Sequence, residues 1–233
     1  LIEIIDQNFS LALSQESKTN IVACRNFIDK KTLETSSPIY GVNTGFGSLC
    51  DQIIPSQDLE TLQKNLVMSH ACGLGPEIPS SIVKLMILLK VQSLSYGHSG
   101  VQLETVERLI DFYNNDIIPV VYQQGSLGAS GDLAPLAHLS LPLLGMGEVY
   151  YKGEKMGGEK LLSLMGWQAI KLKSKEGLAL LNGTQMMSAY GLWSLIKSFK
   201  YCYLSDMIAA LSLDSFDCRI AVSYTHLTLP TIL

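Results

Sequence analysis

The sequence predicts a mainly α protein: a large helical bundle with a loop-rich α region toward the N-terminus and a minor β hairpin. Three observations carry that expectation. Apolar residues recur at three and four positions in several segments, two long stretches are almost continuously apolar, and strand signals are few. Leu59, Leu62 and Leu66 form one helical stripe, and Val106, Leu109, Ile110 and Tyr113 form another. Residues 80 to 96, SSIVKLMILLKVQSLSY, are apolar nearly all round, as suits a helix enclosed by other helices, with Gly97 and Gly100 ending it. From Gly177 to Ile196 there is no charged residue. That run is long enough to span a bilayer. Asn182, Thr184, Gln185, Ser188 and three glycines within it favour instead a long central helix of the bundle. The clearest strand signal is GEVYYKGEKMGG from Gly147, where Lys152-Gly153 can turn the chain back as a hairpin.

Composition narrows the functional classes. With 233 residues and 47% hydrophobic content the chain can build a substantial core. Seventeen Lys and Arg against 21 Asp and Glu give a net charge of -4 without a long run of either sign. That balance offers no footprint for nucleic acid or an anionic membrane, so the expected partner is a small molecule. Five cysteines, Cys24, Cys50, Cys72, Cys202 and Cys218, are odd in number and form no CxxC pair, which fits reduced thiols and a cytoplasmic location. His70, His98, His138 and His226 are too scattered for a local ligand pair, so no metal is expected. No signal-peptide pattern opens the chain, and Leu1 stands where an initiator methionine would, which suggests a start inside a longer protein. Residues 1–220 show no boundary between domains. The uncharged IAVSYTHLTLPTIL from Ile220 breaks the preceding pattern, so 221–233 is expected to be a non-native tail.

The segment richest in chemistry is GSLGASGDLAPLAHLS, residues 125–140. Read locally, it is a tight glycine loop entering a helix, with Asp132 as N-cap and Pro135 in the first turn. Glycine after Ser130 allows more. The unhindered Gly131 nitrogen could attack the Ala129 carbonyl if a strained loop pressed them together. Loss of two waters would leave Ser130 as the methylidene carbon of a five-membered ring, a strong electrophile that a helix N-terminus would assist. Three further segments stand out. YGVNTGFG, residues 40–47, reads as a turn around Asn43 and Thr44 and offers Tyr40 as a base, provided its pKa falls by about three from roughly 10. NLVMSHACGLG, residues 65–75, places His70 on the helical face of Leu66, where a core histidine is the bland alternative. EGLALLNGTQ, residues 176–185, carries Asn182, whose amide in an apolar helix needs hydrogen-bond partners.

Together these segments resemble the histidine and phenylalanine ammonia-lyase family of the ammonia-lyase/fumarase-like superfamily. The spacing agrees as well: 30 residues from Tyr40 to His70, 90 from Tyr40 to Ser130 and 52 from Ser130 to Asn182. The resemblance implies that Ala129, Ser130 and Gly131 form the methylidene-imidazolone group, with no external cofactor, and that Tyr40 removes the substrate's β-proton. It gives Asn182 a hydrogen bond to the ring or the bound amine and gives Asp132, together with Gly45, a supporting role around the site. The pair Ser69-His70 resembles the histidine-specific members, in which it contacts the substrate side chain. The implied reaction is elimination of ammonia from L-histidine to give trans-urocanate, with either the amine or the imidazole of the substrate adding to the ring. Phenylalanine or tyrosine ammonia-lyase and aminomutase activities of the same family are alternatives, and an inactive helical scaffold is an alternative of another class.

Family members are homotetramers about twice this length. Residues 1–220 therefore resemble the N-terminal part of one catalytic domain. By themselves they are expected to be inactive and poorly soluble, because the apolar faces of 80–96 and 177–196 would lose their covering.

Overall fold

A computed structural model describes residues 9–34, 37–47, 50–127 and 131–218. The helices are α1 (Gln15–Glu34), α2 (Leu59–His70), α3 (Ser80–Ser95), α4 (Leu103–Asn114), α5 (Leu133–Ser140), α6 (Gly158–Met165), α7 (Glu176–Leu181) and α8 (Gln185–Ser215). The strands are β1 (Leu74–Glu77), β2 (Ile118–Pro119), β3 (Tyr122–Gln124), β4 (Glu148–Tyr151) and β5 (Glu154–Gly157). The mainly α expectation therefore holds. The chain divides into two compact units, Leu1–Tyr190 and Gly191–Leu233, where the sequence shows no boundary.

In the first unit, α3 is the hub. Its residues Ile82, Val83, Leu85, Met86, Ile87, Leu88, Val91 and Leu94 are all buried, and it packs against α1, α4 and β2. Each large side chain fully withdrawn from water contributes about 1.5–3 kcal/mol, so this helix anchors the unit. The expectation that its apolar face would be uncovered in this chain is corrected: α1, α4 and β2 supply the cover from within. The α4 stripe behaves as its spacing predicts, with Val106, Leu109, Ile110 and Tyr113 all buried.

The predicted hairpin is β4–β5, paired from Glu148↔Gly157 to Tyr151↔Glu154. Its two-residue turn has Lys152 at φ 50° and Gly153 at φ 83°, the double left-handed conformation that matches strand twist. β2 adds to its other side through Ile118↔Tyr150, and β1 pairs antiparallel with β3. These short strands lack alternation long enough to be read from sequence.

The uncharged run 177–196 is not one helix. It breaks at 182–184 between α7 and α8, where Asn182 is extended (φ -83°, ψ 123°). Among the described residues, no helix is long and apolar enough to cross a membrane. In the second unit, α8 continues to Ser215 with Phe199, Tyr203, Ile208 and Leu211 all more than 60% exposed. Residues 219–233, which include the suspected tail, lie outside the described residues.

Gly97 ends α3 in the left-handed conformation at φ 73°, and a Cβ there would meet the Asn20 backbone of α1 at 2.6 Å. Gly97→Ala in the complete gene product is expected to cost at least about 1–2 kcal/mol. The readout is a lower urea midpoint; an unchanged midpoint contradicts this account of the α1–α3 contact.

Candidate active site

Four separate segments build the site. The first is the loop carrying Tyr40. Although the sequence reads it as a surface turn, Val42, Asn43 and Thr44 are at most 6% exposed. The Asn43 side chain ties the loop to itself, accepting from the Ile39 N–H at 2.6 Å and donating to the Ser37 carbonyl at 3.0 Å. Gly45 is buried and donates its N–H to the Gln52 carbonyl at 3.1 Å. Gly41 has φ 72°, and a side chain there would run into Leu178, so glycine lets the loop close on α7. Tyr40 itself is 54% exposed and meets Phe46 edge to face at 5.9 Å.

The second segment is the end of α2. The His70 Nδ1 lies 2.9 Å from the Leu66 carbonyl. A carbonyl only accepts, so in the neutral ring Nδ1 carries the proton and Nε2 is left as an acceptor. Ser69 Oγ donates to the same carbonyl at 3.0 Å and lies 3.2 Å from His70 Nδ1. Ser69 thus braces the ring and does not line the cavity described below.

The third segment is α7 with the break after it. The Gln63 Oε1 on α2 accepts the Gly177 N–H at 2.9 Å. Glu176, fully buried, accepts from the Gln102 N–H and side-chain amide, the Thr105 hydroxyl and the Lys173 N–H at 2.6–2.8 Å. These bonds locate α7, and α7 delivers Asn182. The expectation of a buried amide within a helix is corrected here, because Asn182 follows the last turn of α7 and is exposed.

The fourth segment is the glycine loop entering α5. Ala129 and Ser130 lie outside the described residues. Gly131 takes φ 74° and pairs with Gly183 in a parallel bridge. The next N–H, of Asp132, donates to the Gly183 carbonyl at 3.0 Å. Asp132 occupies the N-cap position of α5 as read, but its carboxylate does not cap that helix. One oxygen accepts from the Ser126 hydroxyl at 2.7 Å and the other from the Met187 N–H at 3.0 Å. Met187 lies in the first turn of α8, where N–H groups lack intrahelical partners. The cause is that both oxygens have other donors, one at the first turn of α8 and the other the Ser126 hydroxyl.

These segments converge on a cavity of about 380 Å³ lined by Tyr40, His70 and Asn182 together with Phe46, Leu66, Leu133 and Leu178. A second cavity, of about 340 Å³, is lined by His70, Cys72, Gly125, Leu127, Gly131 and Leu133. His70 and Leu133 border both. Sequence reasoning missed Gln63, Glu176 and Ser126, whose long-range bonds leave no local pattern. No group of three or more His, Cys, Asp or Glu side chains able to hold a metal is present among the described residues.

A helical scaffold that gathers a tyrosine, a histidine and an asparagine around a glycine-rich helix entry belongs to a definite class. The chain matches the aromatic amino acid lyase family model over residues 1–228 and belongs to that family. It is similar to the histidine ammonia-lyase of Caldanaerobacter subterraneus subsp. tengcongensis, 41% identical over 233 residues that cover 97% of this chain and 46% of that protein. Among solved structures, histidine ammonia-lyase from Trypanosoma cruzi aligns with a TM-score of 0.84 at 33% identity, covering 95% of this chain and 43% of that one. Phenylalanine aminomutase from Pantoea agglomerans aligns with a TM-score of 0.77 at 31% identity, covering 87% and 39%. The chain spans about half the length of the curated relatives it matches.

Two outcomes test the local physics. Asp132→Asn keeps the shape of the side chain but removes its charge, and is expected to cost about 1–3 kcal/mol, measured as a lower urea midpoint. His138 accepts the Gly73 N–H on Nε2 at 3.0 Å, and burial pushes its pKa below the ordinary 6.5. Its contribution to stability is full above pH 6.5 and is lost as pH falls toward the lower folded-state value. Urea midpoints should therefore decline below that pH, and His138→Leu should flatten the decline; an equally steep variant would refute the assignment.

Proposed function

We propose that this chain is part of an enzyme that eliminates ammonia from L-histidine to give trans-urocanate, with Ala129, Ser130 and Gly131 forming a methylidene-imidazolone. The observation that carries the reading is the cavity lined by Tyr40, His70 and Asn182, three residues far apart in sequence. It is supported by similarity to histidine ammonia-lyases over 97% of the chain. A side chain at position 131 would collide with the Gly183 carbonyl, so packing keeps there the glycine that the proposed cyclisation also needs.

The prosthetic ring, once formed, supplies an electrophile that withdraws electrons from the substrate. The chain's own residues do the rest. The Tyr40 oxygen takes the β-proton, the C–H electron pair becomes the Cα–Cβ double bond, and the C–N pair leaves with ammonia. His70, whose Nε2 is the acceptor nitrogen, suits an imidazole N–H of the substrate, a donor that phenylalanine lacks. Asn182 supplies an amide to the ring or the departing amine. Ser69 braces His70, and Asp132 and Gly45 hold the loops in place. The small-molecule substrate requires neither nucleic acid nor membrane, and a cytoplasmic location is part of the same reading.

The homotetramer of the family belongs to this proposal as well. Exposed Phe199, Tyr203, Ile208 and Leu211 support it, because apolar surface on this scale favours contact with other subunits. The isolated 233 residues are accordingly expected to show no turnover.

The test uses the complete gene product. It should convert histidine to urocanate, with phenylalanine poorer in kcat/KM by about a hundredfold or more, as expected when a substrate lacks a hydrogen-bonding group the site is built for. Its 129–131 peptide should be lighter by two waters, a loss abolished by Ser130→Ala. Turnover of phenylalanine without histidine would shift the reading to the phenylalanine enzymes, and an unmodified triplet in active protein would refute the electrophile.

A further inference from the structure

Lys90 is out of place in α3. It is 2% exposed, and its helical neighbours Met86, Ile87, Val91 and Leu94 are buried apolar residues. Methionine or leucine would fill the same volume without desolvating an amine. Burial lowers the Lys90 pKa to about 7, and no carboxylate pairs with it among the described residues. Its Nζ instead donates to the Asn182 carbonyl at 3.2 Å.

That carbonyl lies at the break between α7 and α8. The Asn182 N–H is held by the Leu178 carbonyl at 2.9 Å, its C=O by Lys90, and the following carbonyl, of Gly183, by the Asp132 N–H. The backbone of Asn182 is therefore fixed on both sides, at a residue that lines the cavity. Lys90 is not among the cavity's lining residues, so any influence it has on chemistry must pass through Asn182.

We propose that Lys90 is a positioning residue for the reaction, holding the Asn182 backbone so that the Asn182 amide is correctly aimed; this rests on the role of Asn182 given above. A group clamped from behind loses rate when released, since misplacement of about 1 Å can cost about a hundredfold. A lysine that served the core alone would affect folding and nothing specific to Asn182.

The experiment is a double-mutant cycle in the complete gene product with Lys90→Met, Asn182→Ala and the pair, followed by kcat, KM and thermal midpoint. Lys90→Met should fold with an unchanged or higher midpoint, because a buried amine has been removed. Its kcat should fall about ten- to a hundredfold with the same balance of kcat and KM changes as Asn182→Ala. The double variant should be no slower than Asn182→Ala alone, within about threefold. Full activity of Lys90→Met beside an impaired Asn182→Ala overturns the proposal, as do losses that multiply in the pair. A Lys90→Met protein that fails to fold also overturns it, since Lys90 would then serve the whole core. Full activity of Asn182→Ala has a different meaning, because it removes the role of Asn182 on which the inference rests.

Discussion

The buried carboxylate of Asp132 is the constraint on which the candidate site depends. It has no exposure to solvent, and it stands where two helices begin. Asp132 precedes α5, and its side chain binds the first turn of α8 through the Met187 N–H. A helix N-terminus is partly positive, and the Met187 N–H at the start of α8 is aimed at one of the carboxylate oxygens. The second carboxylate oxygen reaches back to Ser126, which ties the glycine loop to both helices. A side chain at 132 without acceptor oxygens would leave both the α8 donor and the loop hydroxyl without this shared partner.

Around that anchor, glycines permit approaches that side chains would forbid. Gly131 lies against the Gly183 carbonyl, and Gly41 against Leu178. The first contact joins the helix entry to the break after α7, and the second brings the Tyr40 loop onto α7 itself. Buried polar groups then fix α7: Gln63 from α2 and Glu176 at its own N-terminus. The site is therefore a junction of loops and helix ends held on a rigid frame, where unpaired backbone groups and half-charges are concentrated.

The histidine at the end of α2 shows how a structural hydrogen bond sets chemistry. The Leu66 carbonyl determines which ring nitrogen carries the proton, and so which kind of partner the other nitrogen can take. Ser69 donates to that same carbonyl. The Ser-His pair thus acts as one unit, although only His70 borders the cavity.

The helical class, the enclosed α3 helix, the α4 stripe, the β4–β5 hairpin and the segments carrying Tyr40, His70, Gly131 and Asn182 were all legible in the sequence. Periodicity and turn chemistry are local properties written in neighbouring residues. The sequence misrepresented the run 177–196 as one helix, because nothing in its hydropathy marks the break at 182–184, where Gly183 pairs with the distant Gly131 and Asp132. It assigned the Asp132 carboxylate to its own helix, because only the folded chain brings α8's donors within reach. Nothing local marks Lys90, since the carbonyl it serves lies 92 residues distant. The sequence by itself determined the helical class, the longest buried helices and the segments that carry the candidate side chains. The tertiary structure decided which of those side chains meet and how their hydrogen bonds are shared, because buried donors and acceptors must be satisfied by whatever the fold places within about 3 Å.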